Sequence, residues 1–81
     1  MIVRVRLFAA ARQVAERDVV EMEVPESATV ADVRQQLTLR YPGLEAWTPH
    51  LLFALNHRYV SDDSPVPPDA ELASFPPVSG G

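Results

Sequence analysis

The chain has 81 residues, 47% of them hydrophobic and none of them cysteine, which suits one small domain around one core and excludes a disulfide scaffold, a cysteine-ligated metal and any thiol chemistry of its own. Eleven acidic residues against seven basic ones give a net charge of −4, the wrong sign for following a phosphate backbone, so nucleic acid is not an expected partner. All seven basic residues are arginine, so no side chain can form a Schiff base or accept an isopeptide.

Residues 2–8, IVRVRLF, alternate with Val3, Val5 and Leu7 on one face and Arg4, Arg6 and Phe8 on the other, the pattern of a half-buried strand. Arg4 and Arg6 also break the continuous apolar run that a signal peptide would need, and no stretch approaches the roughly 18 apolar residues of a membrane span. A cytoplasmic protein with no membrane partner is expected. Residues 9–16, AAARQVAE, are good helix formers but too few for a stable helix alone, and predict a short helical connection. Residues 19–24, VVEMEV, alternate again, with Val20, Met22 and Val24 together, and Pro25 ends this second strand.

Thr29 opens a capping box in which Asp32 stands where Glu or Gln is usual, and Val30, Val33, Leu37 and Tyr41 recur at helical spacing until Pro42-Gly43 stops the helix. That stripe is the face a helix lays on a sheet, so it is read as core with Val3, Val5, Leu7, Val20, Met22 and Val24 beneath it. Residues 44–50 are irregular, with Trp47 expected to tuck against the helix. Residues 51–55 suit a buried strand, and Asn56-His57 a turn. Residues 61–70, SDDSPVPPDA, read as a surface loop, and residues 71–75 as a last strand with Leu72 and Ser74 on one face and Ala73 and Phe75 on the other. The order strand, strand, helix, short strands predicts an α+β fold, one main helix on one face of a mixed sheet whose other face is open.

Catalytic constellations are absent from the pattern. His50 and His57 lack metal-ligand spacing, Asp62 and Asp63 beside Ser61 and Ser64 suit turn capping better than proton sharing, and the three glycines, Gly43, Gly80 and Gly81, make no phosphate loop. The ending Pro76-Pro77-Val78-Ser79-Gly80-Gly81 is different in kind. Two prolines force an extended exit from the last strand, and side chains then shrink to nothing, so the segment can thread a narrow channel and present the Gly81 carboxylate to a close-approaching backbone or nucleotide. Small residues also collect at frayed ends, and the tail by itself leaves both readings standing.

This ending resembles that of the small subunits of molybdopterin synthase, a family of ubiquitin-like sulfur carriers. The resemblance runs along nearly the whole chain, through Leu7-Phe8-Ala9 with Arg12 just after, the capped helix from Thr29 to Tyr41, and Leu55-Asn56 before the turn. It differs where the family usually has an acidic residue and this chain has Ala70, and where a bulky apolar residue often stands and this chain has Ser74. The resemblance implies a β-grasp domain over residues 1–75 and an extended tail over 76–81. It implies that an activating enzyme resembling the ubiquitin-activating kind adenylates Gly81 with ATP, and that a persulfide sulfurtransferase then leaves a thiocarboxylate there. The large synthase subunit would bind Pro76, Pro77, Val78, Ser79 and Gly80 in its active site and supply the catalytic side chains, and Gly81 would deliver sulfur to a cyclic pterin precursor. The chain itself would bind no cofactor and no metal, and act as a sulfur-donating subunit of a heterotetramer.

Strand parity places Phe8 and Phe75 on the outward sheet face, where an apolar patch marks a partner site, and contact with both the large subunit and the activating enzyme is expected there. The opposite parity would make Phe75 core and expose Leu72. Arg4 and Arg6 share the face without a specific role. Rival readings are a carrier for thiamine, tungsten-cofactor or thiolated-RNA pathways, a modifier that forms isopeptides on target lysines, and an interaction module with an inert tail.

Overall fold

The computed structural model describes residues 1–77. Its first strand, β1 (Ile2–Leu7), alternates as the sequence predicts, with Val3, Val5 and Leu7 buried. Ala9 then takes a left-handed φ of 52°, a conformation that costs an L-residue about 1–2 kcal/mol, and the chain reverses from strand into helix α1 (Ala9–Ala15). The helix is more than a connection: Ala11 and Ala15 enter the main core, their small side chains letting the helix lie close. Strand β2 (Val19–Glu23) returns antiparallel to β1, with Val20 opposite Val5 and Met22 opposite Val3.

Helix α2 (Val30–Arg40) starts where its cap predicts. The Asp32 carboxylate accepts the Thr29 backbone N–H at 2.8 Å and the Thr29 hydroxyl at 3.3 Å, satisfying groups that a helix start leaves without partners. Val30, Val33 and Leu37 are buried, and Tyr41 packs half-buried at the edge of the same core. Strands β3 (Leu52–Leu55) and β4 (Arg58–Val60) form a hairpin through Asn56 and His57, whose φ values of 52° and 66° match the two positive values that a type I′ turn requires. Strand β5 (Glu71–Phe75) enters last and takes the middle of the sheet, giving the order β2-β1-β5-β3-β4, parallel only between β1 and β5. Leu72 and Ser74 face the core, as the first parity has it. The result is a mixed α+β sheet covered on one face, the β-grasp arrangement. Among the described residues no helix is long and apolar enough to cross a membrane.

Three expectations need correction. Strand β3 is half-buried rather than buried, with Phe53 in the core and Leu52 36% exposed on the other face. Trp47 is not tucked against the helix but 42% exposed. The segment carrying it winds as two 3₁₀ turns, Pro42–Leu44 and Thr48–His50, whose phase turns Leu44 and Thr48 inward and Trp47 outward. The loop over 61–70 is not wholly surface either: Val66 and Ala70 are buried, and Thr29 bridges to Pro65, so the loop closes the open end of the core.

Arg34 joins these pieces. Its guanidinium donates to the Thr48 and Leu51 carbonyls and, through Nη2 at 2.9 Å, to Asp62, while its central carbon lies 5.0 Å from the centre of the Phe53 ring. One side chain on α2 thereby ties together the 3₁₀ segment, the entry to β3 and the loop after β4. The remaining oddity is Ser74, whose buried hydroxyl, in the middle of the sheet's inner face, has no hydrogen-bond partner among the described residues.

Candidate functional site

The uncovered face of the sheet divides into a charged half and an apolar half. On the β2 side, Arg6 Nε meets Glu71 Oε1 at 3.0 Å and Arg4 lies 3.8 Å from Glu21, with all four side chains about half or more exposed. Such pairs add little stability but keep that half solvated. Toward β3 and β4 the face carries Phe8, Ala54, Ala73 and Phe75 around a shallow cleft of about 510 Å³, with Arg6, Glu71 and His57 at its rim.

Backbone register brings the aromatic residues together. The Phe8 N–H donates to the Ser74 carbonyl at 3.1 Å, which sets Phe8 beside the end of β5. Phe75 pairs with Leu52 across β3, and Ala54 pairs with Tyr59 across β4. The Phe75 and Tyr59 ring centres are 5.8 Å apart at a tilt of 55°, a favourable aromatic arrangement. Phe8 is 43% exposed and Tyr59 71%, so much of both aromatic rings faces water.

The expected interface pair, Phe8 and Phe75, thus shares one cleft. Ala73 shares this surface by the parity that places Phe75 there; Tyr59, Leu52 and Ala54 join it through strand pairing, and a two-residue turn at Asn56-His57 already places Tyr59 opposite Ala54. Pro76 and Pro77 follow Phe75 and line a second, smaller cleft with Ala46, Trp47 and His50. Val78, Ser79, Gly80 and Gly81, the rest of the expected site, lie outside the described residues. Asp62 is engaged by Arg34, and the Ser61 and Ser64 hydroxyls lie 3.3 Å apart within their turn. Among the described residues no cluster of His, Asp and Glu could hold a metal.

A main helix, α2, gripped by a mixed five-stranded sheet, with the short α1 beside it and an apolar open face from whose central strand the tail departs, defines the ubiquitin-like β-grasp class. The ThiS family model matches residues 5–81. The molybdopterin synthase sulfur carrier subunit of Arabidopsis thaliana is 34% identical over 79 residues, covering 98% of this chain and 82% of that protein. SAMP1 from Haloferax volcanii superposes with a TM-score of 0.88 at 30% identity, covering 100% of both chains. A chain from the complex of subunits 1 and 2 of the molybdopterin-converting factor of Helicobacter pylori shares the fold, with a TM-score of 0.70 at 21% identity and 100% of both chains covered. The chain belongs to the ThiS family of ubiquitin-like proteins, and within it to the molybdopterin synthase sulfur carrier subunits.

Proposed function

We propose that this protein is the sulfur carrier of a molybdopterin synthase, with Gly81 as the residue that is loaded. The observation that carries the reading is the family match, which runs through Gly81 and so takes in the whole Pro76–Gly81 segment. A carboxylate is a poor acyl donor, because its oxygen is a poor leaving group. An activating enzyme transfers AMP from ATP to the Gly81 carboxylate and releases pyrophosphate. A persulfide sulfurtransferase attacks the acyl carbon with its outer sulfur and expels AMP. Cleavage of the resulting sulfur–sulfur bond by a second thiol leaves the thiocarboxylate on Gly81.

The large synthase subunit then takes up the tail, and the thiocarboxylate sulfur attacks a carbon of the cyclic pterin precursor and displaces an oxygen substituent from it. Hydrolysis of the acyl–sulfur link returns the carboxylate for another round, and two rounds complete the dithiolene. The chain's composition suits this division of labour: without cysteine or lysine it supplies neither a competing thiol nor a competing side-chain amine. Phe8 and Phe75 are the contacts for the large subunit and the activating enzyme. The complex is a heterotetramer in the cytoplasm, with the chain binding neither cofactor nor metal.

The test is removal of Gly80 and Gly81 in the host. Loss of all molybdoenzyme activity with unchanged carrier abundance is expected, and retained activity would refute the reading.

The structural match to SAMP1 favours a second reading, transfer of the Gly81 acyl group to lysines of other proteins. Target proteins bearing the mass of the carrier, lost when Gly81 is removed, would establish it.

A further inference from the structure

We infer that Trp47 and its cleft form a second docking point for the large synthase subunit at the root of the tail, separate from the Phe8–Phe75 face; this rests on the sulfur-carrier reading above. The cleft, about 290 Å³, is bounded by Ala46, Trp47 and His50 on one side and by Pro76 and Pro77 on the other, and is mostly apolar.

Trp47 is not turned outward by a loose loop. The Leu44 side chain behind it is buried, the Thr48 hydroxyl donates to the Leu44 carbonyl at 2.8 Å, and Arg34 holds the Thr48 and Leu51 carbonyls. Its own N–H donates to the Leu44 carbonyl at 2.8 Å, and its carbonyl accepts from His50 at 2.9 Å. The largest apolar side chain in the molecule is therefore held in water by a fixed backbone, which is how a preorganised contact is built.

The identity of the occupant follows from distance. Four residues separate Pro77 from the end of Gly81, at most about 14 Å of extended chain. A subunit that encloses Gly81 in its active site must bring the mouth of that site against Pro77, and so against Trp47 on the opposite wall. The partner that fits is the large subunit, with an aliphatic or aromatic side chain at the channel mouth entering the cleft. The sheet face would then supply most of the docking area, and the Trp47 cleft would fix the direction in which the tail enters.

Two readouts test this with purified large subunit. Trp47 is the single tryptophan, so carrier labelled with 5-fluorotryptophan gives one fluorine resonance, expected to shift on addition of unlabelled large subunit. Trp47→Ala is expected to weaken the complex roughly tenfold or more by calorimetry while leaving the melting temperature of the carrier unchanged. An unmoved resonance together with unchanged affinity for Trp47→Ala, while Phe75→Ala weakens the complex, would overturn the inference and leave the carrier reading standing. Failure of the unaltered carrier to bind the large subunit would overturn both.

Discussion

The two faces of one sheet use the same kinds of side chain for opposite ends. On the inner face Val3, Val5, Leu7, Val20, Met22 and Leu72 meet Val30, Val33 and Leu37 of α2 and are shut from water. On the outer face Phe8 and Leu52 are as apolar and Tyr59 adds an aromatic ring, yet none of the described residues covers them. Packing accounts for every residue of the first set. The second set gains little burial in the isolated domain beyond the Tyr59–Phe75 ring contact, the character of the docking face proposed above. Strand β5 shows the contrast within five residues: Leu72 is core, and Phe75, three positions on, stands at the edge of the open cleft just before the tail.

The contrast breaks most sharply at the tail. Deleting Gly80 and Gly81 should abolish sulfur loading while leaving the thermal melting of the domain where it was; a large drop in melting temperature would mean that the tail is structural. On the inner face, Leu37→Ala should cost about 3 kcal/mol in chemical denaturation, since it removes a fully buried side chain from under α2. Arg34→Ala should cost about 2 kcal/mol, because it removes the side-chain donor from the Leu51 carbonyl, leaves the Thr48 carbonyl only the Leu51 N–H at 3.3 Å, and releases the segment that holds Trp47.

The outer face should answer differently to the same experiment. Phe8→Ala and Phe75→Ala should each change stability by less than about 1 kcal/mol, yet weaken the complex with the large subunit roughly tenfold or more by calorimetry. If either substitution unfolds the domain, the division between the faces is wrong. The smallest effect sharpens the inner side: Ser74→Ala should raise stability by about 1 kcal/mol, because it removes a buried hydroxyl with no hydrogen-bond partner among the described residues. A loss of stability would mean that the hydroxyl has a partner in solution.

How far the sequence reaches follows from the range of the interaction that fixes each residue. Period-two alternation is local, so the faces of β1, β2 and β5, and with them Phe8 and Phe75, are legible from a few neighbours. The same holds for α2, whose cap lies within Thr29–Asp32. Trp47 is misplaced because two 3₁₀ turns offer too short a repeat to phase, and the space beneath them is filled by Leu44 and Thr48. Tyr59 joins the cleft only through the register of β3 with β4 and the tilt of its ring on Phe75. Arg34 carries no sequence signal at all, since its partners lie 14 to 28 residues away. Ser74, a departure from the family pattern, becomes meaningful only when its burial is seen.

The central claim is that Gly81 carries sulfur, and intact-mass measurement tests it most directly. The protein is incubated with the host's activating enzyme, ATP and a persulfide donor, then weighed without acid exposure and fragmented from its C-terminal end. A mass gain equal to exchange of one oxygen for sulfur, confined to Gly81 and dependent on ATP, is the predicted result. An unchanged mass under conditions in which the activating enzyme consumes ATP on a known carrier would contradict the account.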